Sequence, residues 1–507
     1  MRRRCCAIAI CFLMLTLSGA AAEASQVRVT NPAELRAAIG AAQPGDEIVL
    51  ASGVYDTTGI DCSANGTPTA PIVVKSETPL GAEIRFDALE GFHVYGASWQ
   101  FDGLTIHGVC SLDDNCEHAF HVVGGANFFK VRNSKVYDFN AWLKVNNLGA
   151  LAPDDGLVEN NEITMTRPRN TGNPVNGMNI NQGDRWIARA NYIHDIQRSD
   201  GSPNYAGFMK GGGTGGVFER NLVVCVHDRP APANADNVGL SFGGGGTDPQ
   251  FCRPYYDPNI IPCAPEQTDG VMKNNIIVNC NDVAVYVNQG KNTTLLYNTF
   301  IATNGVDYRF GSSSGTAIGN VMASHIRARD GATFTETNNL MDLTASDFAN
   351  FYQDPLNADL RQRGDLSRLI GQGPTVSAIS DDFCARQRPA SGLTLGAVEH
   401  SLGDCDTTHT WPNGGGGGAD GGVDGGGGSD GGYGTGDAGP QNPQDGGPDG
   451  GLGRSIGSGD ALQATNAGCG VASSSSASGA WVGLLSLIVV SRLRKTYRIR
   501  NGLGRLQ

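Results

Sequence analysis

A few basic side chains could move protons in this chain. Lys210 stands in Phe208-Met209-Lys210, followed by three glycines, Gly211 to Gly213, that clear room for a ligand. Arg220, His227 and Arg229 follow within about one repeat of the kind set out below, and Lys144 and Arg309 occupy equivalent segments elsewhere. A lysine acts as a base only when burial or neighbouring cations lower its pKa. His227 needs no such shift, because imidazole titrates near neutrality. Its setting, Cys225-Val226-His227-Asp228-Arg229, suits a plain loop equally well. Asp195, Asp200, Asp228 and Asp236 fall in loops beside Lys210. Oxygen-rich loops can hold Ca²⁺, although solvated carboxylates are the default reading of such loops. There is no EF-hand or nonapeptide repeat, and no CxxC pair to suggest zinc or redox chemistry.

The elements that must position these residues recur. An Asn stands beside β-branched or aliphatic residues at Asn133, Asn161, Asn191, Asn221, Asn275, Asn298, Asn320 and Asn339. The successive intervals are 28, 30, 30, 54, 23, 22 and 19 residues. The interval of 54 reads as two units with an insertion around Gln250 to Gln267. Fixed periods of this size signal a solenoid, and short strands between Gly/Asn turns favour a parallel β-helix. One Asn per coil can bond to the next and form a ladder. A second segment lies upstream of each Asn, as in His118-Ala-Phe-His121, Trp142-Leu-Lys144 and Val283-Ala-Val-Tyr286. Stacking places these strands in one sheet, with aliphatic and Phe side chains inward and His, Lys, Asn and Tyr outward. Counting twelve residues back from the ladder aligns His121, Asn179, Met209 and Tyr286. Lys210 then falls level with the inward Val122, Ile180 and Val287, so it must either turn out through a bulge or run along the core.

The body opens with Asn31-Pro32-Ala-Glu34, an N-cap, a first-turn Pro and an acidic third position. Such a helix shields the open end of a solenoid. From about Gln26 to Glu399 there is room for roughly ten to twelve coils. Net charge is −13 with only 17 % charged residues, which argues against a nucleic-acid binder because phosphate contacts need a basic footprint. Nine cysteines lie in the body. Cys110/Cys116, Cys252/Cys263, Cys225/Cys280 and Cys384/Cys405 are suitably placed for disulfides, which leaves Cys62 over.

The two ends read as addresses. Residues 1–24 have Arg2 to Arg4, an apolar run and small residues before a cleavage point, the pattern of an export signal. Residues 413–459 form a Gly/Asp-rich linker that cannot bury a core. Residues 466–507 carry Gly468-Cys469-Gly470, a short apolar stretch and an Arg cluster. This tail resembles the C-terminal sorting signals of myxobacterial surface proteins, which implies a membrane-held segment before processing and display at the cell surface.

The opening, from Asn31 through Pro44-Gly-Asp-Glu-Ile-Val-Leu-Ala-Ser-Gly53-Val-Tyr55 to Ala70-Pro-Ile-Val-Val-Lys75, resembles that of secreted right-handed parallel β-helix proteins. The pectate-lyase-like superfamily, with its alginate lyase and chondroitinase B group, is the enzyme relative it suggests. The resemblance implies an all-β right-handed parallel β-helix and a polysaccharide partner. It further implies β-elimination on an acidic glycan, with a Lys or Arg base and Lys, Arg or Ca²⁺ neutralising the carboxylate. The aspartate series of a galacturonan hydrolase is missing. A non-catalytic, glycan-binding surface β-helix remains the alternative, since that opening specifies architecture rather than activity.

Overall fold

The computed structural model describes residues 25–244, 247, 251–253 and 263–408. The segments read as an export signal (1–24), a Gly/Asp-rich linker (413–459) and a sorting tail (466–507) lie outside the described residues. The helix Pro32–Ala41 forms as its cap requires: the Asn31 side chain accepts from the Glu34 amide, and Leu35 and Ile39 are buried. Three long parallel sheets follow, of twelve, ten and ten strands. The chain visits them in a fixed order, first, second, third, and each strand pairs with its counterpart one coil away. This is a right-handed parallel β-helix with ten complete coils. Inward residues stack into aliphatic and aromatic columns. Phe92 lies on Phe120 with ring centroids 5.4 Å apart.

The ladder occupies the turn between the first and second sheets. The Oδ1 of Asn191 accepts from both the main-chain N–H and the Nδ2 of Asn161, at 3.1 and 3.0 Å. The same pair of bonds links Asn191 to Asn221, Asn221 to Asn275, Asn275 to Asn298, Asn298 to Asn320 and Asn320 to Asn339. Each Nδ2 also donates to a first-sheet strand carbonyl of the preceding coil, as from Asn275 to Phe218 at 2.9 Å. The residue just before each ladder Asn is left-handed: Asn160, Ala190, Arg220, Asn274, Tyr297, Gly319 and Asn338 all have φ between 49° and 69°. Asn133 takes that left-handed place rather than a ladder place, which Ser134 fills instead.

Two expectations are corrected. Asn221 bonds directly to Asn275, so the interval of 54 is one coil, enlarged by an excursion after the third-sheet strand Asn237–Phe242. In the third sheet, Lys210 pairs with Asn181 on the outward side, while Met209 is buried in the core. The count slipped because eleven residues separate Lys210 from Asn221, against ten from Asn181 to Asn191 and from Asn288 to Asn298. Gly211 and Gly212, both at positive φ, take up the extra residue.

The disulfides join Cys110–Cys116, Cys225–Cys280, Cys252–Cys263 and Cys384–Cys405, and Cys62 is a buried thiol. From Tyr192 onward the outer face of the second sheet is apolar. It packs Tyr192, Leu222, Val224, Ile276 and Val278 against the C-terminal helix Ala345–Phe351 and the segment reaching Val398.

Asn275→Ala should strip partners from two neighbouring coils and lower the unfolding free energy by about 2–3 kcal/mol. Asn133→Gly, at a left-handed site outside the ladder, should cost well under half as much. Urea unfolding followed by circular dichroism measures both.

Candidate functional site

The third sheet carries the polar strip. Its central outward row runs Asp61, His93, His121, Lys144, Asn179, Phe208, Ser241, Tyr286, Asp307 and Arg327, one residue per coil. Beside it runs a second row: Asn146, Asn181 and Lys210, then Asn288, Arg309 and Arg329. These rows face away from the core, yet Asn179, Asn181, Ser241, Asn288 and Asp307 are buried. The strip is therefore recessed, and charges in it are poorly hydrated.

Lys144 shows the consequence. Burial, reinforced by the charge of Lys210 and opposed by Glu117, pushes its ammonium down to about 7. Its Nζ reaches Asn179 Oδ1 at 3.4 Å. Lys210 is also lowered by burial, against an opposing pull from Glu266. Its Nζ lies 5.0 Å from the Phe208 ring centroid. Lys210 is two coils from Lys144 and one row across, so two long side chains can converge over Asn179 and Asn181. Glu117, whose carboxylate accepts from Asn173 and Asn140, is pushed up by burial. Several buried polar atoms here lack a hydrogen-bond partner among the described residues: Asn181 Oδ1, Glu266 Oε1, Asn288 Oδ1 and Arg309 Nε. Such atoms are uncommon in native cores and mark places where a ligand or water completes the network.

At its N-terminal end the strip holds Glu90, His93, His118 and His121. Simple alternation would put His118 and His121 on opposite faces. The pairing skips Gly91 and Ala119, however, and a Cβ on Gly91 would meet the Ala119 carbonyl at 2.7 Å. The strands bend there, and His118 and His121 both reach Glu90, at 3.7 and 2.7 Å. Burial drives His118 down to about 4. Burial would also raise Glu90, but its histidine contacts outweigh that and hold it well below the usual carboxylate range.

The structure separates the sequence candidates. Lys144, Lys210 and Arg309 share the strip, with Arg309 further along it, beside Asn288 and over the Tyr286 ring at 5.8 Å. Arg220 is elsewhere: it is the left-handed residue before Asn221 and forms an ion pair with Asp381 of the C-terminal segment. His227 lies beyond the second-sheet strand Leu222–Val224, next to His194 and Asp228. The four loop aspartates do not form the expected calcium site. Asp195 is fully buried and engaged by His194, by the amides of His227, Asp228 and Arg229, and by the Arg229 guanidinium. Asp200 caps Ser202 and pairs with Arg198. Asp228 pairs with His227, and Asp236 is exposed at the entry to another strand. Glu90, Glu117, His118 and the Asn146/Asn181 pair were not singled out from the sequence. The outward pattern in His118-Ala-Phe-His121 was their one visible signal.

Residues 29–147 match the chondroitinase B family. That stretch holds Glu90, His118, His121 and Lys144. Among solved structures, pectate lyase Pel9A is similar over 74 % of this chain and 96 % of its own, with TM-score 0.50 and 17 % identity. An alginate lyase from Paenibacillus sp. str. FPU-7 is similar over 62 % of this chain and 99 % of its own, with TM-score 0.41 and 16 % identity. A search of curated proteins gave no match. The chain shares the pectate-lyase-like β-helix fold.

In the folded chain Lys144 takes up its proton below about pH 7, whereas unfolded it does so below its ordinary 10.5. Its contribution to stability therefore grows as pH rises from about 7 to 10.5 and is lost as pH falls through that window. Its reactivity toward an amine reagent, read by peptide mass spectrometry, should be half-maximal near pH 7. In Lys210→Met the midpoint should move upward. An unchanged midpoint in that variant would show that the two ammonium groups do not sense each other.

Proposed function

We propose that this protein is an exported, surface-displayed polysaccharide lyase that cleaves an acidic glycan by β-elimination. The observation that carries this reading is Lys144, brought to about 7 beside Lys210 in a recessed polar strip. At neutral pH a substantial share of Lys144 is then an unprotonated amine, able to take the C5 proton of a uronate residue. Lys210, two coils along and one row across, serves to neutralise the uronate carboxylate and so to acidify that proton. The electrons of the C5–H bond form the C4–C5 double bond as the C4–O bond breaks. Glu117, whose carboxyl burial pushes upward, is the group we assign to protonate the leaving oxygen. The buried Asn179 and Asn181 between the two lysines supply amide groups for sugar hydroxyls. The match of residues 29–147 to the chondroitinase B family supports the substrate class. The basic start of residues 1–24 and the tail 466–507 support export, with the Gly-rich stretch as a stalk.

The test is absorbance of unsaturated uronate products from alginate, pectate and chondroitin, with and without Ca²⁺. Lys144→Met and Lys210→Met should each lower the rate at least about 100-fold, the scale of a lost acid–base or charge-stabilising group. Arg220→Ala and His227→Ala should leave it within a few-fold if they stay folded. For the wild-type chain, the rate should rise with pH through about 7 as Lys144 loses its proton. Absence of product from every glycan would overturn the lyase and favour a glycan-binding β-helix.

A further inference from the structure

The cluster at the N-terminal end of the strip has a proton-count problem. His121 Nε2 lies 2.8 Å from Asn146 Oδ1, and Nδ1 lies 2.7 Å from Glu90 Oε1. The Asn146 amide is oriented independently, because its Nδ2 donates to the Asn147 carbonyl at 2.9 Å. Its Oδ1 is therefore an acceptor, and His121 Nε2 must carry the hydrogen. In the neutral ring Nδ1 is then a bare lone pair facing a carboxylate oxygen. Two acceptors at that separation need a cation between them or a proton shared by them. His118 adds a third donor atom. Its Nδ1 is buried, has no hydrogen-bond partner among the described residues and lies 3.7 Å from the same carboxylate oxygen. One ligand atom from each of Glu90, His118 and His121 lies within 4.8 Å of the others. His93 stacks on His121 with ring centroids 4.8 Å apart, and its Nδ1 is 3.4 Å from Glu90 Oε2.

We propose that Glu90, His118 and His121 form a binding site for a borderline divalent transition metal of the zinc class. Two imidazoles and a carboxylate suit such ions and are poor company for Ca²⁺ or Mg²⁺, which prefer oxygen. Zinc bonds to nitrogen and oxygen are roughly 2.0–2.2 Å, so tetrahedral ligand atoms sit about 3.3–3.5 Å apart. The cluster needs only small side-chain adjustments to reach that spacing. The bond from His121 Nε2–H to Asn146 is the outer contact that fixes a ligating tautomer. Three protein ligands leave a fourth position for water or a ligand. Lys144 is the register neighbour of His121, so the bound ion would sit one coil from the strip's basic pair. The site stands on its own geometry and does not depend on the lyase reading.

The other His-containing cluster, His194, Asp195 and His227, serves as the internal control. Its carboxylate is already occupied by three backbone amides and Arg229. The full chain, prepared without a polyhistidine tag and stripped with a chelator, is titrated with ZnCl₂ against a chromophoric competitor. One equivalent should bind. His118→Gln and Glu90→Gln should each weaken it at least about tenfold, the lower end of what even an outer-contact mutation costs a metal site. His194→Gln should leave it unchanged. A zinc K-edge spectrum of the loaded wild-type chain needs no variant, and should show a nitrogen/oxygen shell with imidazole scattering. Failure of the wild-type chain to bind zinc, a shell without imidazole, or binding lost in His194→Gln but kept in His118→Gln would overturn the assignment.

Discussion

The buried asparagine ladder is the constraint on which the rest of this molecule depends. A β-helix must turn sharply between sheets, and the turn leaves amides and carbonyls that no strand satisfies. From Asn161 to Asn339, one side chain per coil closes that account: its oxygen accepts from the preceding coil's turn, and its nitrogen also donates to a strand carbonyl of that coil. An unsatisfied group at such depth costs about 1–3 kcal/mol, so the ladder holds these coils at one register. The left-handed residue before each Asn follows from the same turn. Register then decides which side chains meet on the third sheet, as for Lys210, eleven residues before Asn221.

The recessed strip follows from that alignment. Polar residues face outward in each coil, but stacking and neighbouring loops withdraw many of them from water. Charges there are held at a cost, and the lysine ammonium yields by losing affinity for its proton. Lys144 and Lys210 are both lowered by burial, and the charge of Lys210 lowers Lys144 further. Elsewhere the same fold satisfies a buried charge. Buried Arg388 of the C-terminal segment bonds Glu399, Asn274 and the carbonyls of Thr394, Gly396 and Ala397. That segment seals the second sheet beyond Tyr192 with an apolar face and ties down Arg220. The two regions show one scaffold used in two ways. One pairs its buried arginine with a carboxylate, while the other keeps Asn181 Oδ1 and Asn288 Oδ1 buried without a hydrogen-bond partner among the described residues.

Features governed by local chemistry were legible from residue types. Asn31, Pro32 and Glu34 announced the capping helix, and the four disulfides followed from cysteine spacing within and between coils. The Asn positions announced the ladder, except at Asn133, where two adjacent turn places accept the same residue type. Lys210 was legible as a candidate but not in orientation. One extra residue in the glycine turn after it shifts the count, and with a period of two a single residue exchanges the faces. The calcium expectation failed for a different reason. Asp195 caps a loop from inside, while Asp200, Asp228 and Asp236 are exposed.

The sequence by itself determined the coil, its inward columns, its capping helix and its covalent clasps, because each depends on periodicity or on residues within one or two turns. Tertiary structure alone decided the chemistry. Glu90, His118, His121, Lys144 and Lys210 are spread over 121 residues, and they face one strip only because the coils stack in register. Their protonation is set by how much water that stacking excludes. Desolvation and proximity are properties of the assembled surface, and no spacing along the chain encodes them.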